Sequence, residues 1–380
     1  MDLVRLNKDN YYEAINLMNV VFSRNSGIEK DITKSIPKMK INSEEQANKH
    51  FGVFENGKIV ACLGVYPFKA LVLNEELSFA TVGNVVTHWE YEGNGYMSKL
   101  LDCSAKELEN LNVDIARLSG LRSRYNRYGF EKCGQTYNFT FTYKNRLKKC
   151  SEYNSNIEFI VINENDTNYL EFATKLYNKN KINVPRKVEN AYLTMSAWLN
   201  TPYIAICNGN PIGYLSVNNE GVNIAEIFAV DTKSFIDIIC SWHAKVNTSI
   251  HFYLQPHSVA EMQFFTSVCE NFNLTYPGLF YVRNWEKVVN AFMKLKASYI
   301  DMPKGEINIE IRGYGTIKVY VNNNEVGCVS TKDKPDITLD NLTASRYIFG
   351  PYSPIYTNKV TALAQSWFPL PLSWNGQDRI

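Results

Sequence analysis

Residues 82–101, VGNVVTHWEYEGNGYMSKLL, decide how the rest of the chain is read. Val82 to Val86 has the composition of a buried strand, Glu92-Gly93-Asn94-Gly95 that of a tight loop, and the remainder that of an amphipathic helix. Gly93 and Gly95 remove two Cβ atoms where the helix opens, so backbone N–H groups can approach a bulky anion. The first helical turn adds unpaired N–H donors and the positive end of the helix dipole. A diphosphate suits such a turn, and so does a plain tight connection between strand and helix. Glycine spacing alone does not separate the two. Neither GxGxxG nor GxxxxGK[ST] occurs in this stretch.

Working outward, Leu3 to Leu6 reads as a short strand, and Asn7 to Asn10 offers caps for a helix carrying Tyr11, Ala14, Ile15, Met18 and Phe22. Ser23 to Ser43 predicts a second helix plus a mobile loop placed to act as a substrate-facing lid. Residues 51–66 form a hairpin around Asn56-Gly57. A further strand, Lys69 to Leu73, is expected to turn at Asn74-Glu75 into Leu77 to Val86. Beyond the helix Tyr96 to Leu108 come a strand at Val113 to Leu118 and RSRYNRYGFEKCG, a short helix ending at Gly129-Phe130.

This order of elements resembles that of the GNAT acetyltransferases, an α+β fold built on a mixed sheet. The Gly93–Gly95 loop resembles the family's coenzyme A loop, R/Q-x-x-G-x-G/A. Two positions depart from it: Glu92 stands where Arg or Gln is preferred, and Met97 where Gly or Ala is. RYNRYGF resembles the family's Tyr-x-x-x-Gly-Phe segment, with Tyr125 at the tyrosine. The resemblance implies acetyl-CoA as co-substrate, contacted by Val85, Val86 and Thr87 on the strand and by Gly93, Asn94, Gly95, Tyr96 and Met97 at the loop and helix start. It also implies that Tyr125 protonates the departing thiolate. A phenol with an ordinary pKa of about 10 can donate at neutral pH. The alternative for Tyr125 is packing beside Tyr128 and Phe130. For Val85 and Thr87 the alternative is plain strand core, the expected role being one of the backbone.

Residues 157–254 repeat much of this plan. Ile157–Ile162 and Asn168–Tyr177 read as strand and helix, and Tyr203–Cys207 and Ile212–Val217 as a hairpin over Asn208-Gly209. Val222–Val230, Ser234–Trp242 and Ile250–Leu254 follow as strand, helix and strand. The connection AVDTKSF contains no glycine, so this second copy lacks a coenzyme loop and is expected to shape a cleft. The last part predicts a helix at Trp285–Leu295 and strands at Gly305–Arg312, Thr316–Val321 and Val326–Ser330. Asp336-Ile337-Thr338-Leu339 is then expected to cap a short helix, and Trp367, Phe368 and Trp374 to be core. This domain order resembles the enhanced-intracellular-survival (Eis) type of GNAT protein, which acetylates aminoglycosides and other amines. The domains it implies are a catalytic GNAT domain at 1–150, a degenerate GNAT-like domain at 151–284 and a sterol-carrier-protein-like domain at 285–380. In that group the chain's own terminal carboxylate helps remove the amine proton, which assigns the role to Ile380.

Composition narrows the classes further. With 380 residues, 45% hydrophobic and 21% charged, the chain is a multidomain globular protein. A net charge of +2 points to no polyanionic partner, nucleic acid included. Eight scattered cysteines without a CxxC pair fit reduced thiols in a cytoplasmic protein, and no metal site is expected. The N-terminus does not read as a signal peptide, and no apolar run approaches the roughly 18 residues that span a bilayer. The expectation is thus an acetyl-CoA-dependent N-acetyltransferase acting on a primary amine of a small molecule: aminoglycoside-like, polyamine or peptide. The resemblance also implies a homo-oligomer, a hexamer or smaller, since relatives of this type often assemble so. The alternative is a catalytically impaired binding or regulatory protein on the same scaffold, suggested by Glu92 and Met97.

Overall fold

The computed structural model describes residues 2–149, 156–351 and 361–378. Strand β1 (Asp2–Arg5) leads into helix α1 (Lys8–Ser26). Asn7 caps α1 by accepting from the Asp9 and Asn10 N–H groups, and Gly27 ends it at φ 70°, in the left-handed region. Where a second helix and a loop are expected stand a single helical turn, α2 (Ile32–Ser35), a 3₁₀ turn at Pro37–Lys40 and α3 (Glu44–Ala47). The Asn56-Gly57 turn then joins β2 (His50–Glu55) to β3 (Lys58–Val72), both turn residues having positive φ.

The separate strand expected at Lys69–Leu73 is instead the second half of β3, which pairs with β4 (Glu75–Thr87) as far as Val72. The turn is Leu73-Asn74, one residue earlier than expected. Pro67 does not break β3, because β2 has already ended its pairing at Gly64, so no ladder bond on that side is lost. A 3₁₀ turn at Trp89–Tyr91 leads to α4 (Tyr96–Asn110), β5 (Ile115–Leu118), α5 (Arg122–Tyr125) and β6 (Glu131–Cys133).

The middle of the chain supplies β7 (Thr136–Phe141), α6 (Tyr143–Lys149), β8 (Ile157–Val161), α7 (Thr167–Tyr177), β9 (Ile182–Asn183), α8 (Val188–Met195) and β10 (Thr201–Cys207). After these come β11 (Asn210–Val217), β12 (Ile224–Ala229), α9 (Thr232–Val246), β13 (Ile250–Leu254), α10 (Val259–Val268), β14 (Asn271–Thr275) and β15 (Gly278–Val282). Strands do not stay with their sequence neighbours. The first sheet runs β1-β2-β3-β4-β5-β15-β6, so β15 is inserted between β5 and β6, while β9 adds to the end of β3. In return β7 leaves that sheet and pairs with β13 and β14, its Phe139 ring stacked on both Phe252 and Phe272. A further sheet is β12-β11-β10-β8.

The C-terminal part begins with α11 (Trp285–Ala297) and forms a sheet ordered β18-β17-β16-β19. Its strands are β16 (Gly305–Ile311), β17 (Gly315–Val321), β18 (Val326–Thr331) and β19 (Ile337–Leu339), and α12 (Asn341–Phe349) and α13 (Ala362–Trp367) follow. Ile337–Leu339 is thus a strand rather than the cap expected there. Ile337 and Leu339 alternate inward at period two, and Asp340 caps α12 instead, accepting from the Thr343 N–H. One hydrophobic core joins this part to the first sheet. Trp285, Phe292, Ile309 and Trp367 share it with Phe79, on which Trp374 stacks at 4.3 Å between ring centroids. Phe368 and Trp374 are buried as expected. Among the described cysteines six are free thiols, but Cys240 is disulfide-bonded, against the all-reduced expectation. Among the described residues no helix is long and apolar enough to cross a membrane.

A buried ionic cluster pins the tail. The Arg186 guanidinium donates to Glu226 at 2.6 and 2.7 Å and to Asp378 at 2.9 Å. Tyr177 donates its hydroxyl to Asp378, Tyr214 donates to Glu226 at 2.8 Å, and Asn375 donates to Glu226 at 2.6 Å. Arg186→Met would leave two carboxylates buried without a cation, so we expect it to cost about 3–5 kcal/mol. Urea unfolding measures this, and a loss below about 1 kcal/mol would show that the cluster does not hold the tail.

Candidate active site

β4 and β5 lie parallel for a short stretch, from Phe79 opposite Ile115 to Val82 opposite Leu118, and then part. The cause sits in β4. Its register against β3 slips between Gly64–Gly83 and Cys62–Val86, and Asn84 within the slip has φ 54°. Such a bulge bends the strand that carries it. β5 does not follow, because β15 holds it from the other side through Leu118–Leu279 and Arg117–Phe280. Beyond Val82, therefore, the β5 side of β4 has no partner strand. Val85 and Thr87 are half-buried along this opening, whereas the Val86 side chain is buried in the cluster under α1 with Met18 and Tyr66.

The loop after β4 delivers α4 to the end of the opening. Gly93 and Gly95 have φ of 83° and 75°, and an added Cβ at either would meet no atom within 4 Å. Conformation, not packing, requires glycine here. α4 begins at Gly95 with no side-chain cap, so its first N–H donors have no side-chain acceptor. Gly93, Asn94 and Gly95 are exposed, Met97 is half-buried against the core, and Tyr96 is buried, donating its hydroxyl to Glu55. Glu92 is exposed. Sequence reasoning missed Arg127, whose guanidinium donates to the Ser98 hydroxyl at 2.8 Å and so sets a cation beside the first turn of α4. It lies within RYNRYGF, a segment read only for its tyrosine.

Tyr125 ends α5, a single turn held by Arg122, which donates to the buried Glu131 at 2.5 and 2.6 Å. Arg346 donates to the same carboxylate, and these cations keep Glu131 below the usual carboxylate range against the opposing effect of burial. Gly120, just past β5, lets the Tyr125 ring approach: a Cβ there would lie 2.5 Å from Tyr125 Cε2. The ring is buried, its hydroxyl has no hydrogen-bond partner among the described residues, and burial raises its pKa.

Where β4 and β5 part, a cavity of about 650 Å³ opens toward α1 and α2. Thr81 to Asn84 and Arg117 form its floor, Phe22, Lys30 and Ile32 one wall, and Trp198 and Leu199 another. None of its described lining residues is acidic. Trp198 and Leu199 are successive non-glycine residues in the left-handed region, φ 62° and 60°. The segment before them is held by Gln377 of the tail, which donates to the Met195 carbonyl at 2.8 Å and the Ala197 carbonyl at 3.3 Å. Ile380 lies outside the described residues, two positions beyond the Asp378 anchor.

The turn before α9, which contains no glycine, is closed by its own chemistry. Asp231 caps α9, accepting from the Ser234 N–H at 2.7 Å, and the adjoining cavity of about 260 Å³ is lined by Glu226, Asp231 and Glu261. Carboxylates there repel the anion that the glycine turn of α4 invites. Because only backbone conformation requires glycine in that turn, Gly93→Ala and Gly95→Ala should each cost about 1–2 kcal/mol without a packing defect. A shifted urea midpoint at constant slope is the expected readout, and no shift would refute the left-handed turn.

Residues 2–133 match the family model described as an acetyltransferase (GNAT) domain. No curated protein sequence matches the chain. Among solved structures the chain is similar to Eis1 from Mycobacterium abscessus, with TM-score 0.67 and 11% identity over 99% of this chain and 98% of that one. It is similar also to a GCN5-related N-acetyltransferase from Anabaena variabilis, with TM-score 0.66 and 12% identity over 98% of each chain. A GCN5-related N-acetyltransferase from Kribbella flavida gives 0.63 and 14% over 91% and 88%. At such identities the likeness is one of fold. Residues 2–133 thus carry the match to a GNAT acetyltransferase domain, which supports an acyltransferase enzyme.

Proposed function

We propose that the protein transfers the acetyl group of acetyl-CoA to a primary amine of a small molecule, within an Eis-type arrangement of two GNAT-like units and a sterol-carrier-like C-terminal part. The observation that carries this reading is the opening between β4 and β5 beside the uncapped, glycine-opened start of α4. Backbone N–H groups of β4 near Val85 and Thr87 polarise the thioester carbonyl, and the N–H groups of Asn94 to Met97, with Arg127, receive the diphosphate. The amine attacks from the cavity side, and the C–S bond breaks. Tyr125 gives its proton to the departing sulfur, and the Ile380 carboxylate takes the proton that the amine loses. Support for the tail's part comes from Gln377 and Asp378, which fix the chain two residues short of its end beside the cavity wall.

The cavity also narrows the acceptor. With Lys30 and Arg117 in its lining and no described carboxylate, it disfavours a densely cationic aminoglycoside and suits a monoamine with an apolar body contacting Phe22, Trp198 and Leu199. Bound at 100 times its dissociation constant, acetyl-CoA should stabilise the fold by about 2.7 kcal/mol. A thermal-shift titration reads this, and no shift at millimolar ligand would defeat the reading. Tyr125→Phe should lower turnover about 100-fold while leaving acetyl-CoA affinity unchanged. Because burial raises the phenol's pKa, wild-type turnover should show no alkaline decline below about pH 10. Equal turnover in Tyr125→Phe would remove the acid role, and equal turnover after deletion of Ile380 would remove the base role.

A further inference from the structure

Behind the β4 bulge lies a buried chain of hydrogen bonds with one consistent direction. The Gln46 carbonyl can only accept, so His50 Nδ1, 3.0 Å away, carries the ring's hydrogen. His50 is fully buried, and burial pushes its pKa down to about 4, so the ring is neutral and Nε2 accepts. Tyr66 therefore donates its hydroxyl to Nε2, at 2.8 Å. Its only proton committed, the Tyr66 oxygen accepts from the Asn84 side-chain NH₂ at 2.5 Å. That fixes the Asn84 amide with nitrogen toward Tyr66 and oxygen turned away from it. Asn84 lines the 650 Å³ cavity, and its Oδ1 has no hydrogen-bond partner among the described residues. Gly64 makes the arrangement possible, since a Cβ there would lie 2.3 Å from the Tyr66 hydroxyl oxygen.

We propose that Asn84 Oδ1 accepts a hydrogen bond from the incoming amine, and that Tyr66 and His50 are positioning residues that hold the amide in the orientation this requires. The inference rests on the acetyl-transfer reading and adds an amine-binding group to it. An uncharged acceptor at this point can hold either a protonated or a neutral amine, so the amine can lose its proton without losing its site.

The test uses the full-length protein with saturating acetyl-CoA and varied 2-phenylethylamine, or benzylamine if that turns over faster. Asn84→Gly keeps the left-handed backbone and removes the amide. It should raise the amine KM about tenfold, the worth of a hydrogen bond to a charged donor, with the acetyl-CoA dissociation constant unchanged by calorimetry. Tyr66→Phe keeps Asn84 but lets its amide rotate, so it should raise the same KM about threefold, and add nothing in the Asn84→Gly background. The Tyr66→Phe variant reads the same property if Asn84→Gly does not fold. An unchanged amine KM in Asn84→Gly, or effects of the two substitutions that multiply, would overturn the assignment, as would failure of both amines to turn over in a wild-type protein that binds acetyl-CoA. Failure of the wild type to bind acetyl-CoA would overturn the acetyl-transfer reading itself.

Discussion

The first sheet works because β5 is gripped from its far side. Parallel pairing between β4 and β5 is only a few residues long, and a bulged β4 would ordinarily draw a weakly held neighbour along with it. β15 prevents this by pairing with β5 over its whole length, Ile115 to Leu118. The opening, the cavity above it and the approach of Tyr125 over Gly120 all depend on β5 staying in place while β4 turns away.

The rest of the chain then reads as support for that opening. Trp374 stacks on Phe79 under the same β4, and Lys296, buried in α11, donates to the Trp367 and Pro369 carbonyls and so ties the tail to the helix beneath the sheet. The Arg186 cluster is not an economical source of stability, because desolvating three charges offsets most of their attraction. Its effect is positional: it fixes Asp378 relative to α7 and β12, and through Gln377 it fixes the Trp198 wall. The two helix starts differ in how their first N–H donors are met. One ends on glycine and exposes donors, and the other is satisfied by Asp231.

Local features were legible in the sequence because local chemistry determines them. Asn7, Asn56-Gly57 and the Gly93–Gly95 turn each specify a backbone conformation within a few residues, and the chain adopts it. Legibility ended where the deciding partner lies far along the chain. Pro67 argues for a break in β3, and only the absence of β2 alongside makes it harmless. Nothing around Gly278–Val282 marks it as a member of the first sheet, since any buried apolar strand of that length fits either sheet. Asn84, Tyr66 and His50 are separated by up to 34 positions and meet only through strand register, so no motif could have joined them. Arg127 was hidden differently, inside a segment already assigned another purpose.

Insertion of β15 between β5 and β6 has a consequence for the life of the chain on the ribosome. The segment up to Cys133 emerges early, yet its sheet cannot close until residues 278–282 have been made. At ordinary elongation rates that interval is roughly 10 to 30 seconds. During it the nascent chain carries two unsatisfied strand edges, β5 and β6, each able to template unwanted pairing. Translation speed and chaperone attendance thus bear on the yield of this protein more than on that of one whose N-terminal sheet is complete when it leaves the exit tunnel.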